Sequence, residues 1–271
     1  MIPHRYVFVA GLHRSGTSLI ARILGSHPEV GAINGAPVPE NEGCYLQGAI
    51  PHTARHGIPG HFATDPAQHL VEGCALDTLD TRLRLEADWA PWYPPDTAWR
   101  VEKSPVNLTR MRLLQSLYPL AHFVVVTRHP AFVDQAMRKW GIAAADDFPA
   151  HWRAAHDLVM EDIRCLHAAM VVRYEDLVSD PGRTAASLFR FLYLEPDGAR
   201  VEPVADGNAR YRHDVAADAP GYARLGYAKG GGVVPIAPLV KHPLRRIREA
   251  TLEILDQPSL SSSPSLSGPS P

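Results

Sequence analysis

The chain has 271 residues, 45% of them hydrophobic and 21% charged, which is enough apolar material for one sizeable core. Its formal charge of -2 at pH 7 removes the net electrostatic reason to sit on DNA or an acidic membrane, so nucleic acid is not an expected partner. Cys44, Cys74 and Cys165 are odd in number and widely spaced, matching neither a disulfide framework nor a zinc ribbon and fitting a reducing, cytoplasmic location.

At the N-terminus, MIPHRYVFVAG has an apolar run too short for a signal-peptide core. No run approaches a membrane span, so a soluble, unprocessed protein is expected. Residues 6–10 read as a short strand ending at Gly11, and Leu19, Ile20, Ile23 and Leu24 follow at helical spacing: strand, glycine loop, helix. Residues 31–66 carry Pro37, Pro39, Gly43, Pro51, Gly57, Pro59 and Gly60, too punctuated for long regular elements. A loop of that length inside a compact domain is usually functional. Helical character returns over residues 70–88, and AWRVEK, after the turn-rich APWYPPD, reads as a strand ending in charge.

Leu108, Met111, Leu114 and Leu117 mark the next helix, residues 123–127 a buried strand, and Phe132, Val133, Ala136, Met137 and Trp140 the helix after it. Trp152, Ala155, Val159 and Ile163 trace a longer helix, residues 170–173 another strand, and Leu188, Phe189 and Leu192 one more helix. Strands alternating with helices predict an α/β fold, a central parallel sheet with helices on both faces, over residues 1–257 as a single domain. Residues 258–271 contain only Pro, Ser, Leu and Gly, a composition that predicts disorder.

GLHRSGTS, residues 11–18, has the outline of a Walker A loop with Thr17 where that motif requires lysine. The lysine reaches the outer phosphates, so nucleotide hydrolysis is not expected. The loop still suits an anion: glycines bring backbone N–H groups close, the following helix offers its positive end, and Ser15, Thr17 and Ser18 add hydroxyl donors. Arg14 moves the charge toward the crest. A bare G-x-x-x-x-G is as readily a ligand-free turn, but Arg-Ser-Gly-Thr argues for a ligand. Cysteine phosphatases also contain R-S-G, yet their nucleophile would stand at Phe8.

VFVAGLHRSGTSLIARIL resembles the 5′-phosphosulfate loop of sulfotransferases, which use 3′-phosphoadenosine-5′-phosphosulfate (PAPS) and carry P-[KR]-S-G-T-[ST] after the first strand. His13 stands where that family often has proline. VVVTRHPAFVDQAMRKW resembles the family's 3′-phosphate segment, R-[DN]-P with a serine eight residues after the arginine; Arg128 and Pro130 match, and Ala136 occupies the serine position. WRVEKSPVNLTRMRLL resembles the E-K-[ST]-P segment of bacterial, Golgi and tyrosylprotein-type sulfotransferases. VVRYEDLVSDPGRTAASLFRFLYL resembles the R-Y-E-D-L…D-P…L-F-x-F-L-G-L segment near the end of their core. One such motif is weak; four in order across residues 6–194 are strong.

The resemblance implies a P-loop NTPase-like three-layer fold and in-line sulfuryl transfer from PAPS to a hydroxyl or amine of a small molecule, glycan or lipid, with no metal required. It implies donor contacts at Gly11, His13, Arg14, Ser15, Gly16, Thr17, Ser18, Arg128 and Ala136, where a serine is expected to tighten phosphate binding. Charge developing on the bridging oxygen calls for cations, and Arg14 and Lys103 are the candidates. Where tyrosylprotein-type relatives have a glutamate, this chain has Asn34; Glu42, Glu40 and Glu102 are therefore the candidate general bases, with Glu42 preferred. Lys103 is alternatively a solvated strand-end charge paired with Glu102.

His129 is expected to shape the 3′-phosphate loop, and Arg173, Tyr174 and Glu175 to fix a sheet end. Residues 208–211 and 227–232 either cover the donor or, as the glycines suggest, form a plain flexible loop. The acceptor pocket is expected from residues 35–60 and 208–232. His52 and His56 have the i, i+4 spacing of a zinc pair, but Pro51, Gly57 and Pro59 oppose a helix there. Two other functions compete: a nucleotide kinase or NTPase with a degenerate loop, opposed by Thr127-Arg128 where a Walker B aspartate belongs, and a catalytically inactive PAPS-binding or PAP-binding protein.

Overall fold

The computed structural model describes residues 4–51, 60–139, 147–196 and 201–257. The tail expected to be disordered, the His52 and His56 pair, and Trp140 lie outside the described residues.

The strands are β1 (Arg5–Ala10), β2 (Val30–Ala32), β3 (Trp99–Lys103), β4 (His122–Thr127), β5 (Ala169–Arg173) and β6 (Val240–Lys241). They form one sheet in the order β2-β3-β1-β4-β5-β6. The first five are parallel, and β6 runs antiparallel to β5. The helices in chain order are α1 (Thr17–Gly25), α2 (Gly43–Leu46), α3 (Leu79–Trp89), α4 (Met111–Leu117), α5 (Pro130–Arg138), α6 (Phe148–Cys165), α7 (Tyr174–Ser179), α8 (Pro181–Phe191) and α9 (Arg245–Asp256).

Side-chain alternation along β1 builds the layers. Tyr6, Phe8 and Ala10 enter an apolar cluster with Leu85 of α3, Met111 of α4 and Trp152 of α6. Val7 and Val9 enter a second cluster on the opposite face with Ile20 and Leu24 of α1 and Leu188 and Phe189 of α8. Both faces are covered, which is why β1 and β4 read as continuous apolar runs. Among the described residues no helix is long and apolar enough to cross a membrane.

Four elements depart from the periodicity. The helix expected over residues 70–88 begins only at Leu79, because Gly73 takes a left-handed φ of 76° and Thr78 caps the helix by accepting from the Thr81 N–H. β2 is three residues long inside the Gly- and Pro-rich stretch, too short to show a period, yet it pairs with β3 from Val30 opposite Trp99. α9 and β6 lie in a stretch with no expected element; α9 buries only Ile247 and Thr251. The connection after β1 emerges between β3 and β4, so the glycine loop sits where the chain crosses from one half of the sheet to the other.

Candidate active site

Gly11 and Gly16 shape the loop by what a side chain would strike. A Cβ on Gly11 would lie 2.5 Å from the Val126 carbonyl oxygen of β4, and Gly16, at φ 104°, would put one 3.0 Å from Tyr174 Cδ2. Between them Arg14 takes the left-handed region at φ 67°. Arg128 holds that crest from the neighbouring strand, its Nη1 donating to the Arg14 carbonyl at 2.9 Å. α1 starts at the loop with no acidic residue in its first turn, so its positive end faces the rim unneutralised. Ser15 Oγ is buried with no partner among the described residues, a hydroxyl available to a ligand.

On the β3 side, Val9 pairs with Lys103, which brings Lys103 to the same rim. It is not solvated and does not pair with Glu102: Lys103 is 5% exposed, and its Nζ donates to Glu42 Oε1 at 3.0 Å. Glu102 points to the other face of the strand and is 1% exposed. Its Oε1 accepts from the Gly43 N–H at 3.0 Å and Ser104 Oγ at 2.5 Å, and its Oε2 accepts from Asn107 Nδ2 at 2.5 Å. Glu102 is thereby occupied as the anchor of the turn that carries Glu42, with no oxygen turned to the rim.

Burial pushes the Glu42 carboxyl above its usual range while the Lys103 charge opposes that rise. His13 is pushed down to about 4, first by burial and then by the Lys103 charge, so the loop crest carries a neutral imidazole beside the ammonium. Its ring packs edge-on against Phe62 at 5.7 Å. Glu40 is exposed, on a left-handed φ of 51°, and lines a cleft of 910 Å³ together with Ser18, Lys103 and Trp92.

On the β4 side, Arg128 is 6% exposed and enclosed by residues 205–211. Its Nε donates to Asn208 Oδ1 at 2.7 Å, and its guanidinium lies 4.6 Å from the Tyr174 ring centroid. Asn208 Nδ2 and the His129 N–H both reach Glu175 Oε1, at 3.1 and 3.0 Å, tying the cover to the sheet end. Arg128 Nη2 keeps no partner among the described residues. Arg173 is paired with Asp176 at 2.7 Å, a fixing role as expected. Residues 227–232 are not a free glycine loop: Tyr227 is buried and shares a hydrogen bond with Thr127 at 2.8 Å, and the Ala228 carbonyl lies 2.7 Å from His129 Nε2.

Ala136 stands apart from the rest. It is 0% exposed, on the face of α5 that packs against Phe132, Tyr211 and Val215, and offers nothing to a ligand at the rim. Of residues 208–211, named from the sequence as a possible donor cover, Tyr211 packs against Ala136 and Asn208 bonds Arg128.

The structure thus brings Lys103, the residue 11–18 loop and Arg128 onto the ends of three adjacent strands, β3, β1 and β4. The profile of the sulfotransferase family matches residues 6–197, which contain all three. The chain belongs to the sulfotransferase family. No curated protein matches it. Among solved structures it is similar to a sulfotransferase from Alicyclobacillus acidocaldarius, with 16% identity, a TM-score of 0.47 and 79% of this chain and 90% of that one covered. It is similar also to the sulfotransferase domain of the Synechococcus PCC 7002 olefin synthase, with 16% identity, a TM-score of 0.45 and coverage of 94% and 96%. A retinol dehydratase solved with retinol and PAP shares 16% identity at a TM-score of 0.34, with coverage of 73% and 63%.

A transferase of this family needs an anion cradle, cations for a leaving group and a proton acceptor. The loop, the α1 N-terminus, Arg14, Lys103 and Glu42, which is hydrogen-bonded to Lys103, are the groups at this rim of those chemical types.

Proposed function

We propose that the chain is a PAPS-dependent sulfotransferase acting on a hydroxyl. The observation that carries this reading is the row of cations on β3, β1 and β4, Lys103, Arg14 and Arg128, which spans roughly 10 Å at the usual interstrand spacing. A row of that length suits a nucleotide phosphorylated at both ends. The buried groups left without partners fit it too: Ser15 Oγ lies in the loop, where a 5′-phosphosulfate would be held, and Arg128 Nη2 lies at the other end, where a 3′-phosphate would be held.

PAPS supplies a sulfuryl group on a phosphate leaving group. Loop N–H groups and the hydroxyls of Ser15, Thr17 and Ser18 hold the 5′ end, and Arg128 holds the 3′ end with Asn208 fixing its guanidinium. Arg14 and Lys103 neutralise the negative charge that accumulates on the bridging oxygen as the S–O bond to phosphate breaks. The acceptor oxygen forms the new bond to sulfur, and Glu42 takes its proton. Lys103 orients Glu42 for that step through the 3.0 Å hydrogen bond. The acceptor approaches from the β3 side, because the donor extends from β1 toward β4.

Thermal-shift titration with adenosine 3′,5′-bisphosphate beside ATP tests the donor site. The bisphosphate is expected to stabilise the chain by mass action, and stabilisation by ATP alone refutes the reading. Transfer from radiolabelled-sulfur PAPS across an acceptor panel, with EDTA present, tests turnover; binding without transfer to any acceptor identifies a PAP-binding protein instead.

A further inference from the structure

We infer that the cleft beside Lys103 takes an acidic oligosaccharide as the sulfate acceptor, an inference that rests on the sulfotransfer reading above. The cleft runs along the flank of α1 that carries Ser18 and Arg22, over β2 and the end of β3, on the side of the loop away from Arg128. A donor stretched between the loop and Arg128 meets the cleft only at Ser18 and Lys103 and leaves the part beyond them open. Its 910 Å³ lies near the upper end of the roughly 300–1,000 Å³ usual for ligand sites, so it accommodates an elongated molecule.

The lining is unlike that of a site for a phenol, sterol or acyl chain. Such acceptors need mostly apolar walls with a few polar groups. Here Ser18, Arg22, Asn34, Glu40 and Lys103 line one cleft with Ile33, Pro91 and Tyr93, and the surface they leave open is more polar than apolar. Its apolar lining includes the half-buried side chain of Trp92, whose backbone is fixed beside Asn34 because the Asn34 N–H donates to the Trp92 carbonyl at 3.2 Å. An aromatic side chain and several hydrogen-bonding side chains in one cleft suit a sugar ring, which presents C–H groups on its faces and hydroxyls around its edge. The backbone supports a built site: Glu40 and Asn41 both sit at left-handed φ, 51° and 52°, a conformation that non-glycine residues rarely hold. Asn41 is kept there by its Oδ1 accepting from the Ala36 N–H at 3.1 Å.

Arg22 sets the charge of the acceptor. It lies on the exposed flank of α1 and lines the cleft, and no carboxylate reaches ion-pair distance of it among the described residues. A carboxylate or sulfate on the bound saccharide completes this cation bidentately. In the transfer, the sugar hydroxyl oxygen bonds to sulfur, the bond from sulfur to the donor phosphate breaks, and the hydroxyl proton passes to Glu42.

The test measures PAP release from PAPS with four acceptors: a tetrasaccharide of alternating glucuronate and N-acetylglucosamine, neutral chitotetraose, p-nitrophenol and decanol. The acidic tetrasaccharide is expected to exceed chitotetraose at least tenfold in kcat/KM, and both to exceed the phenol and the alkanol. Arg22→Ala is expected to raise KM for the acidic tetrasaccharide about tenfold with a much smaller effect on chitotetraose, while the thermal shift with adenosine 3′,5′-bisphosphate persists. Trp92→Ala is expected to raise KM for both saccharides and Trp92→Phe to restore most of it. Preference for p-nitrophenol or decanol, or an Arg22→Ala effect equal on both saccharides, overturns the acceptor assignment and leaves the sulfotransfer reading standing. Absence of both bisphosphate stabilisation and PAP release overturns the two together.

Discussion

Replacing Glu102 tests whether the carboxylate acts through Glu42 or on the substrate. In the native chain it accepts three hydrogen bonds, from the Gly43 N–H, Ser104 Oγ and Asn107 Nδ2. Glu102→Ala leaves those donors facing a buried space. Each orphaned donor costs about 1–3 kcal/mol, but Ser104 Oγ still accepts from the Cys44 N–H and Asn107 Nδ2 still reaches the Val9 carbonyl. The penalty therefore falls most heavily on Gly43, and a total of about 3–5 kcal/mol is expected, a fall in Tm of roughly 6–20 °C for a chain of this size. Glu102→Gln keeps an acceptor for Gly43 and Ser104 but turns an amide N–H₂ toward Asn107, so about 1–2 kcal/mol is expected. Because Gly43 follows Glu42 directly, slackening at Gly43 moves Glu42 relative to Lys103. A displacement near 1 Å is enough to reduce kcat about 100-fold, with KM for PAPS little changed. Differential scanning fluorimetry and PAP release measure the two effects. A Glu102→Ala protein within about 2 °C of the native Tm, or a Glu102→Gln protein with native kcat, refutes the anchoring argument.

Gly43→Ala attacks the same junction from the other side: its Cβ would lie 2.6 Å from Glu102 Oε1, so about 1–3 kcal/mol of stability and most of the turnover should be lost, read by the same two assays. Ala136→Ser is expected to leave the affinity for adenosine 3′,5′-bisphosphate unchanged and to lower stability by about 1–2 kcal/mol, since its hydroxyl would lodge among Phe132, Tyr211 and Val215; tighter binding in a calorimetric titration refutes this. Acid sensitivity follows from His122, which shares a 3.0 Å contact between its Nε2 and that of His242, and whose pKa is pushed down to about 3, chiefly by burial. The unfolded chain binds this proton near pH 6.5 and the folded chain does not. Stability is therefore full above that pH and falls as the pH drops, by roughly 1.4 kcal/mol at pH 5.5 for this one group. His122→Phe should narrow the difference in Tm between pH 7.5 and 5.5, and an unchanged difference would count against burial as the cause.

The sheet was legible because its central strands are covered on both faces. β1 and β4 carry no polar interruption between Tyr6 and Ala10 or between Phe123 and Val126, and each is followed by a helix with apolar residues at helical spacing. β2 was not legible, since three residues cannot display a period, and its pairing with β3 comes from tertiary position. The loop and Arg128 were legible as motif residues. The partnership of Glu42 with Lys103 was not, because 61 residues separate them and the turn between Glu40 and Gly43 is set by backbone angles and a buried carboxylate. Ala136 shows the opposite failure. Its motif position suggested a phosphate contact, while its surroundings are decided by the packing of residues 209–215, which no local pattern announces.

The missing Walker lysine has a structural consequence that reaches beyond the loop. Thr17 is buried, and its Cγ2 would lie 2.9 Å from any Cβ on Gly11, so this position packs the loop against β4 and does not carry charge over the phosphates. Besides Arg14 at the loop crest, the positive charge at this rim comes from Lys103 of β3 and Arg128 after β4, which makes it depend on strand register. With Val9 opposite Lys103 and Phe8 opposite Glu102, the ammonium faces the cleft and the carboxylate faces Asn107. A slip of one residue exchanges those faces: it would set Glu102 among the ligand's negative charges and bury Lys103 against the apolar cluster around Phe8. Asn107 opposes that slip, because its amide spans the Val9 carbonyl of β1 and Glu102 Oε2 of β3 and can do so in one register only. The residues that hold β3 against β1 are therefore the same ones that keep a cation, and not a carboxylate, beside the anion loop.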